Sequence, residues 1–147
     1  MNVNWSRWIL ASTAQHFSDA LSGHRTMFVE GQHRETSQLS DFVELRIMGP
    51  DFWQISPTVY NVEAVINVLA QSKMDDANYH RLYETYGYIQ MAFTAIDILE
   101  LGTSDSGNYV GCMTLADPLI TRSLGQLGAK TNIVQGYVQG TYNMRLE

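Results

Sequence analysis

Cysteine occurs once in this 147-residue chain, proline three times, and charged side chains make up only 16% of it. A single thiol, Cys112, excludes an intramolecular disulfide, and its place in the apolar run 109–115 reads as a small buried hydrophobe. Basic residues are scarce: nine Lys and Arg face fifteen Asp and Glu, a net charge of −6, with no run of three. Gripping a nucleic-acid backbone needs clustered Lys and Arg, so that class of partner is excluded. Long apolar runs are missing too. No window approaches a membrane span, and no apolar stretch follows Arg7 to make a secretory leader. The expectation is a reduced, cytoplasmic, soluble protein, in which the sequon Asn4-Trp5-Ser6 is chance.

The hydrophobic fraction is 45%, with 11% aromatic. That suffices for one domain, 1–147, to bury a core without metal or disulfide staples. Gln, Asn, Ser and Thr take the place of the missing charge. Such a surface is desolvated more readily at a subunit contact than one studded with Lys and Glu.

The clearest pattern lies in residues 131–146. Val134, Gly136, Val138, Gly140, Tyr142, Met144 and Leu146 alternate with Gln135, Tyr137, Gln139, Thr141, Asn143 and Arg145. Period two means one β-strand with an apolar and a neutral polar face, reaching about 45 Å at ~3.4 Å per residue. A domain this small is expected to leave part of such a strand for another chain. Gly136 and Gly140 weaken a strand unless an aromatic ring, a neighbouring subunit or a bend accounts for them.

Elsewhere, residues 4–22 read as an amphipathic helix with Asn4 as N-cap and Gly23 as terminator. Residues 27–30 suggest a short strand. The stretch 32–40 has no periodicity and reads as a flexible loop. Alternation returns over 42–48, with a stop expected at Gly49-Pro50, and over 59–71. A second helix is expected from Asp75 or Asp76 to about Phe93, with Gly87 marking a close contact. Residues 94–102 and 109–115 look strand-like around a turn at 103–108. Asp117-Pro118 suggests a short helix over 117–127. The fold class that follows is α+β, a mostly antiparallel sheet of long strands packed by two main helices.

Catalytic constellations are thin. His24, Glu30, His33 and Glu35 match no metal-ligand spacing, and the glycines at 125 and 128 make no phosphate loop, so no metal or cofactor is assigned. Asp97, inside a strand and near Glu100, needs a partner or water; a rim position explains it as well as acid–base work does.

This order of elements, with the closing segment TNIVQGYVQGTYNMRLE, resembles the small neck and tail-completion proteins of tailed bacteriophages, in particular the tail-terminator type. The likeness spans Trp5 through Tyr142. It implies a non-enzymatic virion protein without cofactor, assembled in the host cytoplasm. Such proteins form a homo-oligomeric ring, commonly hexameric, that ends the tail tube and joins tail to head, touching other neck and tail proteins. DNA then passes through the lumen without specific binding. On that reading Gln135, Tyr137, Gln139 and Thr141 form the subunit contact, together with the loop bearing Gln32, His33, Arg34 and Glu35. A head–tail adaptor, a stopper or a tail-tube protein is the nearest alternative. A small α+β barrel that binds a ligand or catalyses a reaction beside Asp97 and Tyr109 is the alternative of another class, and it requires a deep apolar pocket.

Overall fold

The computed structural model describes residues 2–32, 39–73, 79–102, 107–126 and 132–147. Seven strands form one curled, mostly antiparallel sheet, with two helices on one of its faces. The helices are α1 (Trp5–Leu21) and α2 (His80–Ala92). The strands are β1 (Thr26–Val29), β2 (Asp41–Ser56), β3 (Val59–Lys73), β4 (Ile96–Leu99), β5 (Tyr109–Leu115), β6 (Ile120–Gln126) and β7 (Ile133–Leu146). The main path runs β1-β2-β3-β7-β5-β4, and β6 pairs β7 beyond the end of β5. The one parallel pair is β1 with β2.

Period two decides which face each strand buries. Ala64, Ile66, Val68 and Ala70 of β3 line up with Tyr142, Gly140, Val138 and Gly136 of β7, all beneath the helices. From α1 come Trp8, Ile9, Phe17 and Leu21, and from α2 Leu82, Tyr86 and Ile89, at the three- and four-residue spacing of one helical face. Phe93, just past α2, stands edge-on to Phe17 at 5.0 Å and stacks with Tyr142 at 6.1 Å. The buried Tyr142 hydroxyl donates to the Thr94 carbonyl at 2.7 Å, which satisfies the polar end of an otherwise apolar side chain. Burial pushes that phenol's pKa well above its usual value.

The two glycines of β7 lie where α2 presses closest. A Cβ at Gly140 would meet Phe93 at 2.7 Å, and one at Gly136 would collide with the Tyr86 hydroxyl. Aromatic rings of the same chain thus account for both. Gly87 differs from expectation: nothing lies within 4 Å of where its Cβ would be.

Other departures have physical causes. Gly49-Pro50 does not stop β2. The chain kinks there, with Gly49 at φ +99° and a register shift between Met48 and Asp51, and pairing with β3 then resumes as far as Ser56. Residues 120–126 are strand β6 rather than helix, because the Pro118 corner delivers them to an edge of β7 that β5 leaves open. Local propensity loses there to main-chain pairing. Within 94–102 only Ile96–Leu99 is strand. Asn4 makes no side-chain capping bond, and at the start of the second helix Tyr79 and Tyr83 are exposed. The caps Asp75 and Asp76 lie outside the described residues.

The closing strand is itself central. Its register with β3 runs unbroken from Lys73↔Ile133 to Tyr60↔Leu146, and its other edge is taken by β6 and β5. The expectation that β7 needs another chain to pair its edges is corrected: its own protomer does so over most of its length. Among the described residues no helix lies over its polar face, whose side chains from Gln135 to Thr141 are half-buried.

Candidate interaction surface

Strands β2, β3 and β7 carry their second residue set on the face away from the helices. Register sets these side chains in rows: Phe42, Gln71 and Gln135; Glu44, Leu69 and Tyr137; Arg46, Asn67 and Gln139; Met48, Val65 and Thr141. Gln71 Nε2 donates to Gln135 Oε1 and Asn67 Nδ2 to Gln139 Oε1, each at 3.2 Å, so neutral amides lace β3 to β7. Arg46 donates to Glu44 at 3.0 Å on the same strand. Leu69, flanked by the row of Tyr137, is 92% shielded although no described helix lies on this side. Gln135, Tyr137, Gln139 and Thr141 are all half-buried. This face is therefore flat in charge, laced by amides and studded with a few apolar side chains. Such a surface gives up its water at modest cost.

The four β7 residues named from the sequence do stand together. Gln32 does not join them. It sits at the end of β1, where its Oε1 accepts from Val29 N–H at 2.8 Å and its side chain faces a cleft beside α1. His33, Arg34 and Glu35 lie outside the described residues.

Toward the β2–β3 turn the same face dips into an open polar cleft of about 380 Å³, lined by Trp53, Asn61, Glu63, Cys112, Thr114, Asn143 and Arg145. Cys112 is half-buried in its wall, not a core residue as expected, and lies opposite Asp97 across β4 and β5. Burial and the neighbouring Asp97 carboxylate push the thiol's pKa up, so it is a weak nucleophile at neutral pH. Asp97 is exposed and lines a small cleft on α1 with Ser12 and His16; Tyr109 is not among its lining residues. Among the described residues no group of three or more His, Cys, Asp or Glu could hold a metal ion. Among the described residues no helix is long and apolar enough to cross a membrane.

A second polar cluster was not anticipated. Asp41, only 8% exposed at the start of β2, accepts from Arg81 Nε at 3.0 Å and again from Arg81 Nη2, with Arg25 Nε 3.9 Å away. Arg25 also donates to Thr85 Oγ1 at 2.8 Å and to Glu84 at 3.1 Å, and its guanidinium lies 5.2 Å from the Tyr88 ring centre. This cluster ties α2, and the turn that follows α1, to the sheet. Nothing in local sequence spacing marks it, because Arg25, Asp41 and Arg81 lie 16 to 56 positions apart.

No family model matches the chain, and no curated protein is similar to it in sequence. Solved structures do match. The fold recurs in one that aligns over 95% of this chain and 94% of its own, with a TM-score of 0.59 and 14% identity. At that identity the likeness carries the architecture alone: two helices on a curled, mostly antiparallel sheet.

Proposed function

We propose that this chain is a structural subunit of a tailed-phage particle, a non-enzymatic homo-oligomeric ring at the neck or tail end, of the tail-terminator type. The observation that supports it best is the uncovered face of the three long strands. Gln135, Tyr137, Gln139 and Thr141 are half-buried there with no helix over them, amid neutral amides and few charges. Copies meet through this face rather than by extending the edges of β7, which the protomer already pairs. The acidic balance, −6 overall, suits a ring through which DNA slides without being held. Ring order, axial neighbours and the choice among terminator, stopper, adaptor and tube follow from the particle, not from the protomer.

The test is Tyr137→Ala, read by native mass and by electron microscopy of assembled particles, beside circular dichroism. The expected outcome is loss of the ring with the protomer still folded. A wild-type chain that stays monomeric and enters no particle would refute the reading. Global unfolding of the variant would make Tyr137 a packing residue of the protomer rather than an interface residue.

A further inference from the structure

The sheet path ends at β1 on one side and β4 on the other, and side chains cap the main chain at both ends. Ser12 Oγ, from α1, accepts from Leu99 N–H at 2.9 Å and donates to the Leu99 carbonyl at 3.3 Å. At β1, Gln32 Oε1 accepts from Val29 N–H at 2.8 Å, and Gln32 N–H donates to the Val29 carbonyl at 3.0 Å. Capped edges do not template a further strand.

Among the described residues no strand pairs the outer edge of β6, and the side chain that caps it, Arg122 on the Thr121 carbonyl, belongs to β6 itself and can swing away. β6 pairs β7 on one side, and four of the five residues from Ile120 to Leu124 are exposed, Leu124 by 53%. Its ladder polarity is set by Ala116 N–H donating to the Thr141 carbonyl at 2.8 Å. Thr141, Gln139 and Tyr137 therefore turn their main-chain groups toward β6, so that Ile120 and Arg122 complete the ladder. Thr121 and Ser123 turn theirs outward. Arg122 Nη1 lies on the Thr121 carbonyl at 2.9 Å and is paired with no carboxylate among the described residues.

We propose that the outer edge of β6 accepts an added strand from a partner protein, and that the added segment is extended and acidic. Main-chain bonds to Thr121 and Ser123 supply the affinity, and a carboxylate on Arg122 sets the register, with Ile120 and Leu124 covered by apolar side chains. A second copy fits the edge poorly. Antiparallel self-pairing through Thr121 and Ser123 brings the two copies' Arg122 side chains face to face. Moving the two-fold to Ser123 puts the bulge at Leu124, beside Gly125 with φ +77°, into the new ladder. The edge is distinct from the proposed ring contact in its main-chain groups, although Ile120 and Arg122 neighbour Gln139 and Tyr137 on the same sheet face, so native mass is read beside peptide binding.

The test is selection of a random heptapeptide library on the immobilised protein, followed by fluorescence anisotropy of the enriched peptide. Thr121→Pro removes an outward N–H that bonds no described residue, together with the bond from Gln90 Nε2 to Thr121 Oγ1, at a place where an edge strand tolerates proline. Arg122→Glu reverses the charge without touching the main chain and decides the matter if Thr121→Pro fails to fold. Expected are enriched peptides bearing Asp or Glu between apolar residues, amide-exchange protection of Thr121 and Ser123 on binding, and at least about tenfold weaker binding to either variant. No enrichment, a neutral consensus, or unchanged binding to a natively folded Thr121→Pro would overturn the proposal. A native mass that halves in Thr121→Pro would give the edge to a second copy instead.

Discussion

Three glycines separate what close packing demands from what helix propensity alone would prefer. At Gly136 an added methyl meets the Tyr86 hydroxyl and the Arg122 carbonyl oxygen, the latter at 2.5 Å, and backbone cannot step aside. At Gly140 it meets Phe93 and Leu115 side chains at 2.7 to 2.9 Å, which can yield by tilting. Gly87 sits in α2 with open space around it. Gly136→Ala is therefore expected to cost about 3 kcal/mol and Gly140→Ala about 1–2 kcal/mol. Gly87→Ala should stabilise by about 0.5–1 kcal/mol. Thermal denaturation of the three variants checks the order, and equal melting temperatures would contradict it. Asp41 gives a residue-scale prediction in pH. Burial raises its pKa, but the hydrogen bonds from Arg81 and the nearby Arg25 outweigh that and hold it below the ordinary carboxylate value. Its contribution is then complete above about pH 4, the unfolded value, and is lost as pH falls through the lower folded value. Arg81 is 44% exposed, so water screens the pair and Asp41→Asn should cost only about 2 kcal/mol at neutral pH. That difference should shrink as pH falls below about 4 toward the lower folded value, as urea melts at pH 7 and at successively more acid pH would show.

At the scale of elements, the ends of the sheet hold by small side-chain contacts. Ser12 is 3% exposed and accepts from Leu99 N–H, so Ser12→Ala leaves that donor unpaired where α1 meets β4, while the Leu99 carbonyl keeps its bond from Leu101 N–H at 2.8 Å. The expected loss is about 2 kcal/mol, with faster amide exchange at Leu99 and unchanged exchange in β3. The strands and helices that were legible from the sequence share one property: their period is carried by residues that all face one core. β7 alternates without a break because helices cover one of its faces, and β3 and the first half of β2 keep one unbroken apolar face although Phe42, Val65 and Leu69 interrupt the other. What escaped was decided by partners far away in the chain. The Asp117-Pro118 signal is that of a helix start, yet the free edge of β7 makes a strand of the next residues. Gly49-Pro50 looks like a stop, yet β3 lies alongside to receive β2 after the kink. Of the candidate surface, the row on β7 was legible because alternation alone fixes which residues share a face. The Asp41 cluster was not, because only the folded topology brings Arg25, Arg81 and Asp41 to one point.

For the whole molecule the decisive question is what the open sheet face meets, and an isosteric change can ask it without disturbing the protomer. Gln135 and Gln139 act within the chain only as acceptors, through the Oε1 atoms that Gln71 and Asn67 donate to. Glutamate keeps that oxygen and the shape of the side chain, so the double variant Gln135→Glu, Gln139→Glu retains both cross-strand bonds. Its melting temperature should stay within the shift that about 0.5 kcal/mol produces. In an interface the same change buries two carboxylates per subunit among neutral amides, beside an Arg46 already engaged by Glu44 and an Arg122 set next to Tyr137. Desolvation and like-charge repulsion then both oppose association. Native mass should fall to that of the protomer at low ionic strength and recover in part at high salt, because screening relieves the repulsion but not the desolvation. If the face lined the channel instead, the new carboxylates would stay in water. The ring would keep its mass at every salt concentration, and the contact would have to be sought on other strands.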